Sequence, residues 1–173
     1  MERLYIFLDI DGVLNCMNDW SFENFPLNLE CVKNLADAVN FFRQNYEVHI
    51  ILSSSWRSGF NLQEGHSEDV LELLNVLKKF EMTVEDKTPF FPMETRADEI
   101  NSYISENHLE NCRCIVLDDT WHLFGDKLLK NAELYILDSR VGFCRSDFLI
   151  LTGEKVGIFY RLLKFFKKIF YMR

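Results

Sequence analysis

The chain has 173 residues, 48% of them apolar and 27% charged, which is the size and composition of a single globular domain. Seven glycines and three prolines are too few for a collagen-like, low-complexity or disordered protein. No apolar run approaches the roughly 20 residues that a membrane-spanning helix needs, and an acidic pair within the first dozen residues argues against a secretion signal. We therefore expect one cytoplasmic domain over residues 1–173.

Charge and cysteine content narrow the class of protein further. The net charge is −8, but residues 154–173 carry six basic residues and one acid, so the preceding 153 residues carry −13. Such an acidic body argues against an extended nucleic-acid-binding surface, although not against a nucleic-acid end as substrate. The five cysteines are odd in number and lack a Cys-x-x-Cys pair, which excludes a disulfide scaffold and a zinc framework and suits a reducing cytoplasm.

The first half of the chain predicts two strands and two helices. Residues 4–8 are continuously apolar, which is typical of a strand buried on both faces. Asn28 can cap a helix whose apolar residues recur at helical spacing. Residues 47–52 give a second strand that ends in three serines, and Ser67 begins a second helix.

The second half adds a helix and two strands. Thr95 and Asp98 are spaced as a capping pair for a helix that runs to about Asn107. Residues 114–117 and 134–137 are short apolar runs, each followed directly by an aspartate. Strands that alternate with helices predict an α/β fold, a three-layer Rossmann-like sandwich with a mostly parallel central sheet.

Polar side chains follow three of the predicted strands. Asp9 and Asp11 follow the first, residues 53–55 end the second, and Asp118 and Asp119 follow the third. Because the carboxyl ends of parallel strands lie side by side, these groups should share one cleft. Clustered carboxylates repel one another unless a cation neutralises them. An all-oxygen set without His or Cys favours Mg²⁺ over zinc.

The pair Asp9 and Asp11 has a specific chemical interpretation. Asp9, at the strand tip, can bind the metal ion and attack a phosphorus atom to form an aspartyl-phosphate. Asp11 faces the same side of an extended chain, so it can protonate the leaving oxygen and then deprotonate the hydrolytic water. Gly12 allows the chain to leave the strand sharply.

These residues resemble the motifs of the haloacid dehalogenase (HAD) superfamily of phosphohydrolases. Its first motif is Asp-x-Asp-x-(Thr/Val) after a buried strand, which Asp9, Asp11 and Val13 match. Its second motif is a Ser or Thr at the end of the next strand, which Ser53 matches, with Ser54 as the neighbouring candidate. The resemblance implies a HAD-like fold and a phosphate-binding role for these hydroxyls.

The fourth motif of the superfamily is an acidic pair after a strand, which Asp118 and Asp119 match. The resemblance implies a Mg²⁺ site made of Asp9, the backbone carbonyl of Asp11, and Asp118 or Asp119. Both members of the acidic pair remain candidates for direct metal binding.

The third motif is a Lys or Arg near the start of the helix that precedes the fourth. Arg96 lies at a predicted helix start, which suits contact with phosphate, and Lys87 can also reach in from the preceding loop. We favour Arg96, whose planar guanidinium can hold phosphate oxygens, although superfamily members more often use Lys.

The sequences Ser-Ser-Ser-Trp-Arg and Arg-x-x-Glu-Ile further resemble a cap-less branch that includes RNA-repair-associated phosphatases. Cap domains are usually inserted after the first motif or between the second and third. Residues 15–28 hold only a loop, and the 42 residues between Ser53 and Arg96 hold one helix and flanking loops. We therefore expect a minimal cap or none, and an open cleft. For Arg57 we expect either a surface ion pair or a second contact with phosphate or substrate.

Together these features predict a Mg²⁺-dependent phosphatase acting on nucleic-acid ends, nucleotides or phosphoproteins. The alternative is a catalytically idle module that binds a partner or a membrane surface through residues 154–173. Apolar and basic residues there form two stripes at helical spacing, as in a basic amphipathic helix. We favour packing of this helix on the sheet over contact with a membrane, because a parallel sheet needs helices on both faces.

Overall fold

A five-stranded sheet lies at the centre of the structure. The computed structural model describes residues 1–19, 26–124 and 129–153. The strands are β1 (Glu2–Leu8), β2 (Tyr46–Leu52), β3 (Val84–Lys87), β4 (Arg113–Asp118) and β5 (Ala132–Ile136). Within the described residues they run in the spatial order β3-β2-β1-β4-β5, and all neighbouring pairs are parallel. The predicted α/β sandwich is confirmed.

Four helices cover the two faces of the sheet in the described part of the chain. They are α1 (Leu29–Arg43), α2 (Glu68–Lys79), α3 (Arg96–Glu106) and α4 (Arg145–Thr152). Short 3-10 helices lie at Met17–Asp19, Ser55–Gly59 and Trp121–Phe124. None of the helices described is both long and apolar enough to cross a membrane.

Alternating side chains of β1 divide the apolar residues into two cores. Leu4, Ile6 and Leu8 are buried with residues of α1, α2 and α4 on one face. Tyr5 and Phe7 are buried with residues of α3 on the other face. A strand buried on both faces has no solvent side, which explains why its sequence is continuously apolar rather than alternating.

The predicted caps set where two helices begin. The Asn28 side chain accepts hydrogen bonds from the backbone N–H groups of Glu30 and Cys31. Thr95 and Asp98 form a reciprocal capping box that begins α3. Because this box fixes the first turn, Arg96 stands at the helix start beside the carboxyl edge of the sheet, as expected.

The prediction of loops around a single helix between Ser53 and Arg96 was incomplete. This segment contains α2 and the edge strand β3, three of whose four residues are charged: Glu85, Asp86 and Lys87. One edge of β3 is not covered by another described strand, and edge strands often carry charged residues. These polar residues break the apolar pattern from which a strand is predicted. The helix α4 was not predicted either, since it is short and its N-cap is Cys144 rather than a common capping residue.

The strands β1, β2 and β4 end at nearly the same level of the sheet. Asp9 N–H donates to the carbonyl of Leu117, and Ser53 N–H donates to the carbonyl of Leu8. The strand order reverses between β1 and β4, which is the position where open α/β sheets bind ligands. The backbone therefore places Asp9 and Asp118 on the two sides of this crevice.

Some predictions lie outside the described residues. The basic amphipathic helix over residues 154–173 is one of them, and so is the larger part of the loop after Met17–Asp19. The assignment of residues 1–173 to one domain stays a prediction.

Candidate active site

Three carboxylates converge at the crevice between β1 and β4. One oxygen each from Asp9, Asp118 and Asp119 lies within 4.8 Å of the others. Asp9 and Asp118 are buried, and Asp118 Oδ2 has no hydrogen-bond partner among the described residues. An all-oxygen donor set with one buried oxygen left free fits a hard divalent cation such as Mg²⁺.

The surroundings of Asp9 and Asp118 favour the protonated form of each side chain, because a buried charge is unfavourable. Burial raises the pKa of Asp9, and the neighbouring carboxylate of Asp118 raises it further, while the Arg96 guanidinium opposes the shift. Burial also raises the pKa of Asp118, again against the effect of Arg96. The metal-free site therefore carries an electrostatic cost that a bound cation would relieve.

Arg96 is the cation that the fold brings to this cluster. Its Nη1 lies 3.8 Å from Asp9 Oδ1 and 4.0 Å from Asp118 Oδ2. Within the described residues Nη1 has no hydrogen-bond partner, although it is buried. Lys87, the other third-motif candidate, donates its ammonium protons to the carbonyls of Arg57 and Phe60. The geometry therefore favours Arg96 over Lys87 for contact with a phosphate.

Ser53 and Ser54 have different surroundings although they are adjacent. The Ser54 hydroxyl donates to Asp9, which lowers the pKa of that carboxyl, and it accepts a hydrogen bond from Trp56 N at 3.4 Å. The Ser53 hydroxyl is buried without a hydrogen-bond partner in the described part of the chain. Ser53 is therefore the hydroxyl left available for a ligand, while Ser54 holds Asp9.

Asp11 lies outside the group of three carboxylates and has its own donors. Trp56 Nε1 donates to both Asp11 oxygens, at 3.1 and 3.2 Å. Asn15 Nδ2 donates to Oδ1 at 2.9 Å, and Ser55 Oγ donates to Oδ2 at 3.3 Å. The two aspartates of the first motif are thus held by different partners, which suits two different chemical roles.

Gly12 lets the first-motif loop pass close to Asp119. Its φ is +72°, and an added Cβ would lie 2.2 Å from Asp119 Oδ2. A larger residue would therefore strain the backbone and also displace one carboxylate of the cluster.

Comparison with known families agrees with this arrangement. Residues 5–148, well over half of the chain, match the family described as the HAD domain in Swiss Army Knife RNA repair proteins. The chain belongs to this family of HAD domains. Membership supports a phosphohydrolase-type function in general. Neither the curated proteins nor the solved structures gave a match.

Arg57 of this HAD domain is not in a surface ion pair, so that alternative was wrong. It is buried, with Nη2 2.8 Å from Glu99 Oε1 and Nη1 3.1 Å from Thr88 Oγ1. The other Glu99 oxygen lies 4.0 Å from Arg96 Nε. Glu99 therefore lies between two buried guanidinium groups and helps to hold Arg96 beside Asp9.

Sequence reasoning assigned no role to Trp56, Asn15 or Glu99. Trp56 and Glu99 do stand within the two short sequences that resemble the cap-less HAD branch, and Asn15 lies two residues after Val13, the last residue of the first motif. Their positions in or near these motifs are the signal from which a functional role could have been predicted. The contacts themselves depend on how the 3-10 helix Ser55–Gly59 folds back on the first-motif loop.

Replacing Asp118 by Asn should stabilise the metal-free protein. Since the raised pKa means that the folded state binds protons more tightly, stability falls as pH rises from about 4 toward the raised values. At pH 8 we expect Asp118→Asn to raise the free energy of unfolding by about 1–3 kcal/mol, and the gain to vanish near pH 4. Thermal unfolding in EDTA at both pH values measures this.

The matched control is Asp69→Asn, an exposed aspartate in the first turn of α2, which should not raise the midpoint, because its charge is favourable at a helix start. Mg²⁺ should raise the wild-type midpoint and raise that of Asp118→Asn less. A destabilised Asp118→Asn protein at pH 8 would contradict the electrostatic account.

Removing Glu99 should destabilise the fold. Glu99→Ala leaves Arg57 buried without its carboxylate, which typically costs about 3–5 kcal/mol. Urea unfolding measures the change. The control Glu72→Ala, at an exposed position of α2, should cost less than about 0.5 kcal/mol. Equal losses in the two variants would count against the buried network.

Proposed function

We propose that this HAD domain is a Mg²⁺-dependent phosphatase that hydrolyses phosphate monoesters through an aspartyl-phosphate on Asp9. The observation that carries the proposal is the convergence of Asp9, Arg96 and Asp118 at the switch point, with Asp11 held separately by Trp56. A nucleophile, a phosphate-binding cation and an acid–base group are thus present in one crevice.

In the first step, Asp9 attacks the phosphorus atom in line with the leaving oxygen. The new bond joins a carboxylate oxygen to phosphorus, and the bond from phosphorus to the leaving oxygen breaks. Asp11 gives its proton to that oxygen, so the product leaves as an alcohol. The Ser54 hydrogen bond orients the Asp9 carboxylate for this attack.

In the second step, water attacks the phosphorus atom of the aspartyl-phosphate. Asp11, now deprotonated, takes a proton from the water, and the bond between phosphorus and Asp9 breaks. Inorganic phosphate leaves and both aspartates return to their starting states. The same carboxyl group therefore acts first as acid and then as base.

Two buried donors are available for the phosphoryl oxygens. Ser53 Oγ and Arg96 Nη1 are both buried, and neither has a hydrogen-bond partner in the described residues. Buried polar groups are usually paired, so open ones at a crevice indicate a ligand. A phosphoryl group would satisfy both and would be held for in-line attack.

Asp9, Asp118 and Asp119 are the side chains that would hold Mg²⁺. When bound, the ion supplies positive charge that offsets the carboxylates and stabilises charge on the phosphoryl oxygens. The backbone carbonyl of Asp11 stays a predicted further ligand. The raised pKa values of Asp9 and Asp118 support the need for a cation at neutral pH.

Replacing Asp9 by Asn should abolish turnover. With the nucleophile removed, hydrolysis of p-nitrophenyl phosphate in Mg²⁺ should fall by about 10³-fold or more. Asp69→Asn, on the exposed side of α2, should keep wild-type activity. Omission of Mg²⁺ should reduce wild-type turnover as well, and circular dichroism checks that Asp9→Asn stays folded. Unchanged activity in folded Asp9→Asn refutes the mechanism.

For the substrate, we propose the phosphorylated end of a single-stranded RNA. The matched family is described as acting in RNA repair proteins. Ten large apolar side chains are exposed among the described residues. Six of them lie in the connections that leave the carboxyl ends of β1 to β4, before the next helix or, after β4, in a 3-10 helix. The site lies at the same edge of the sheet. We call these six the apolar rim. The apolar rim consists of Met17, Leu62, Phe90, Met93, Trp121 and Leu123.

Phe90 is the member of the apolar rim best suited to stack on a base. The residue is 68% exposed, and the Arg57 guanidinium lies over its ring at 5.4 Å. A ring supported on one side leaves its other face for an unpaired base, and such stacking is the common mode of single-strand recognition. The acidic body suits contact with a few terminal nucleotides rather than with a long strand.

Phe90→Ala should weaken use of RNA ends without affecting the chemistry. We expect KM for a short oligoribonucleotide with a terminal 5′- or 3′-phosphate to rise about 5- to 150-fold, since one stacked base contributes roughly 1–3 kcal/mol. Turnover of p-nitrophenyl phosphate should stay within about twofold. Phosphate release measures both.

The control Leu71→Ala removes an exposed apolar side chain of α2 that lies outside the apolar rim, and it should change neither substrate. If wild-type protein prefers a phosphopeptide to every oligoribonucleotide end, the RNA assignment is wrong while the phosphatase assignment stands.

A further inference from the structure

We infer that Trp56 is a positioning residue that holds Asp11 for proton transfer to the leaving group. This inference rests on the proposed phosphatase function, because it concerns the acid in that reaction. The observation behind it is the indole N–H of Trp56, which lies 3.1 Å and 3.2 Å from the two Asp11 oxygens.

The indole N–H of Trp56 donates to both oxygens of the Asp11 carboxyl group rather than to one of them. A donor shared between both oxygens restricts rotation of the carboxyl group about its terminal bond, which is otherwise broad and soft. Asn15 Nδ2 adds a second donor at 2.9 Å. The orientation of this amide is set by Gly12, whose N–H donates to Asn15 Oδ1 at 2.9 Å.

The chemistry of the donors decides where the acidic proton can lie. An indole N–H donates and never accepts, and Asn15 presents its NH₂ group to Asp11. A proton on Asp11 must therefore lie away from both of them. Ser55 is different, since its hydroxyl can donate to Asp11 or accept from it. The fixed donors thus restrict the directions from which the leaving oxygen and, later, water can approach the carboxyl group.

Trp56 is itself held firmly enough to serve this purpose. The residue is half-buried, and its ring packs against the apolar core on the α1 side of the sheet. Its backbone N–H donates to Ser54 Oγ, the hydroxyl that also donates to Asp9. The turn that carries Trp56 thus sets the acid and the nucleophile together.

A leaving-group series on Trp56→Phe tests the inference. Phenylalanine keeps an aromatic ring and removes the N–H. A poor leaving group such as the alkoxide of an alkyl phosphate needs the proton of Asp11, whereas 2,4-dinitrophenolate leaves without it. We expect kcat/KM for alkyl phosphates to fall about tenfold or more, and for 2,4-dinitrophenyl phosphate to change less than about threefold.

The quantity kcat/KM is the right readout because it ends with the first irreversible step, transfer of the phosphoryl group to Asp9. A role in folding alone would lower kcat/KM equally for all leaving groups. The double variant Asp11→Asn/Trp56→Phe adds a second criterion. If Trp56 acts through Asp11, the second substitution should cause no further loss.

An isosteric replacement keeps the test decisive if Trp56→Phe does not fold. Benzothienylalanine at position 56 keeps the two-ring shape and replaces the N–H by sulfur, and it should give the same leaving-group dependence. Mg²⁺ should still raise the melting temperature, because the side chains of Asp9, Asp118 and Asp119 are unchanged. Equal loss with every leaving group, or no loss, would overturn the inference.

Failure of the inference can be told apart from failure of the proposed function. Wild-type turnover that is lost in Asp9→Asn but unaffected by Trp56→Phe overturns only the role of Trp56. Absence of turnover in wild-type protein with every phosphate monoester overturns both.

Discussion

The constraint that organises the site is the close approach of Asp9 and Asp118, two buried carboxylates at the crevice between β1 and β4 that repel each other when both are charged. The parallel register of the two strands forces this approach, since Asp9 directly follows β1 and Asp118 is the last residue of β4. Arg96 lies within 4.0 Å of each and offsets part of the repulsion. The folded protein thus carries an unfavourable electrostatic free energy at this site, which a bound cation would relieve.

The surrounding polar groups keep this arrangement rigid. Glu99 holds Arg96 from one side and is itself paired with the buried Arg57, so the cation cannot leave the carboxylates easily. Trp56 and Asn15 donate hydrogen bonds to Asp11, which lies outside the cluster of three carboxylates. Trp56 and Arg57 are neighbours in the 3-10 helix Ser55–Gly59, so one turn supports both the group that transfers protons and, through Glu99, the cation beside the group that attacks.

The parts of the site that could be predicted are those fixed by backbone register. Asp9, Ser53 and Asp118 each follow an apolar strand, and parallel strands bring their carboxyl ends together whatever the loops do. Trp56 could not be placed in this way, because its contact with Asp11 depends on the path of a 3-10 turn. The strand β3 was missed for another reason: its charged residues contradict the apolar pattern that marks the inner strands.

The charged residues of β3 also affect how the molecule meets other copies of itself. An edge strand presents unpaired N–H and C=O groups that can template the addition of a foreign strand. Here that edge is only four residues long and carries Glu85, Asp86 and Lys87 in sequence. Glu85 is exposed, and its charge would lose water if another strand docked alongside, so the sheet resists growth through β3. The residues that hide this strand from sequence analysis thus protect the protein against edge-to-edge aggregation.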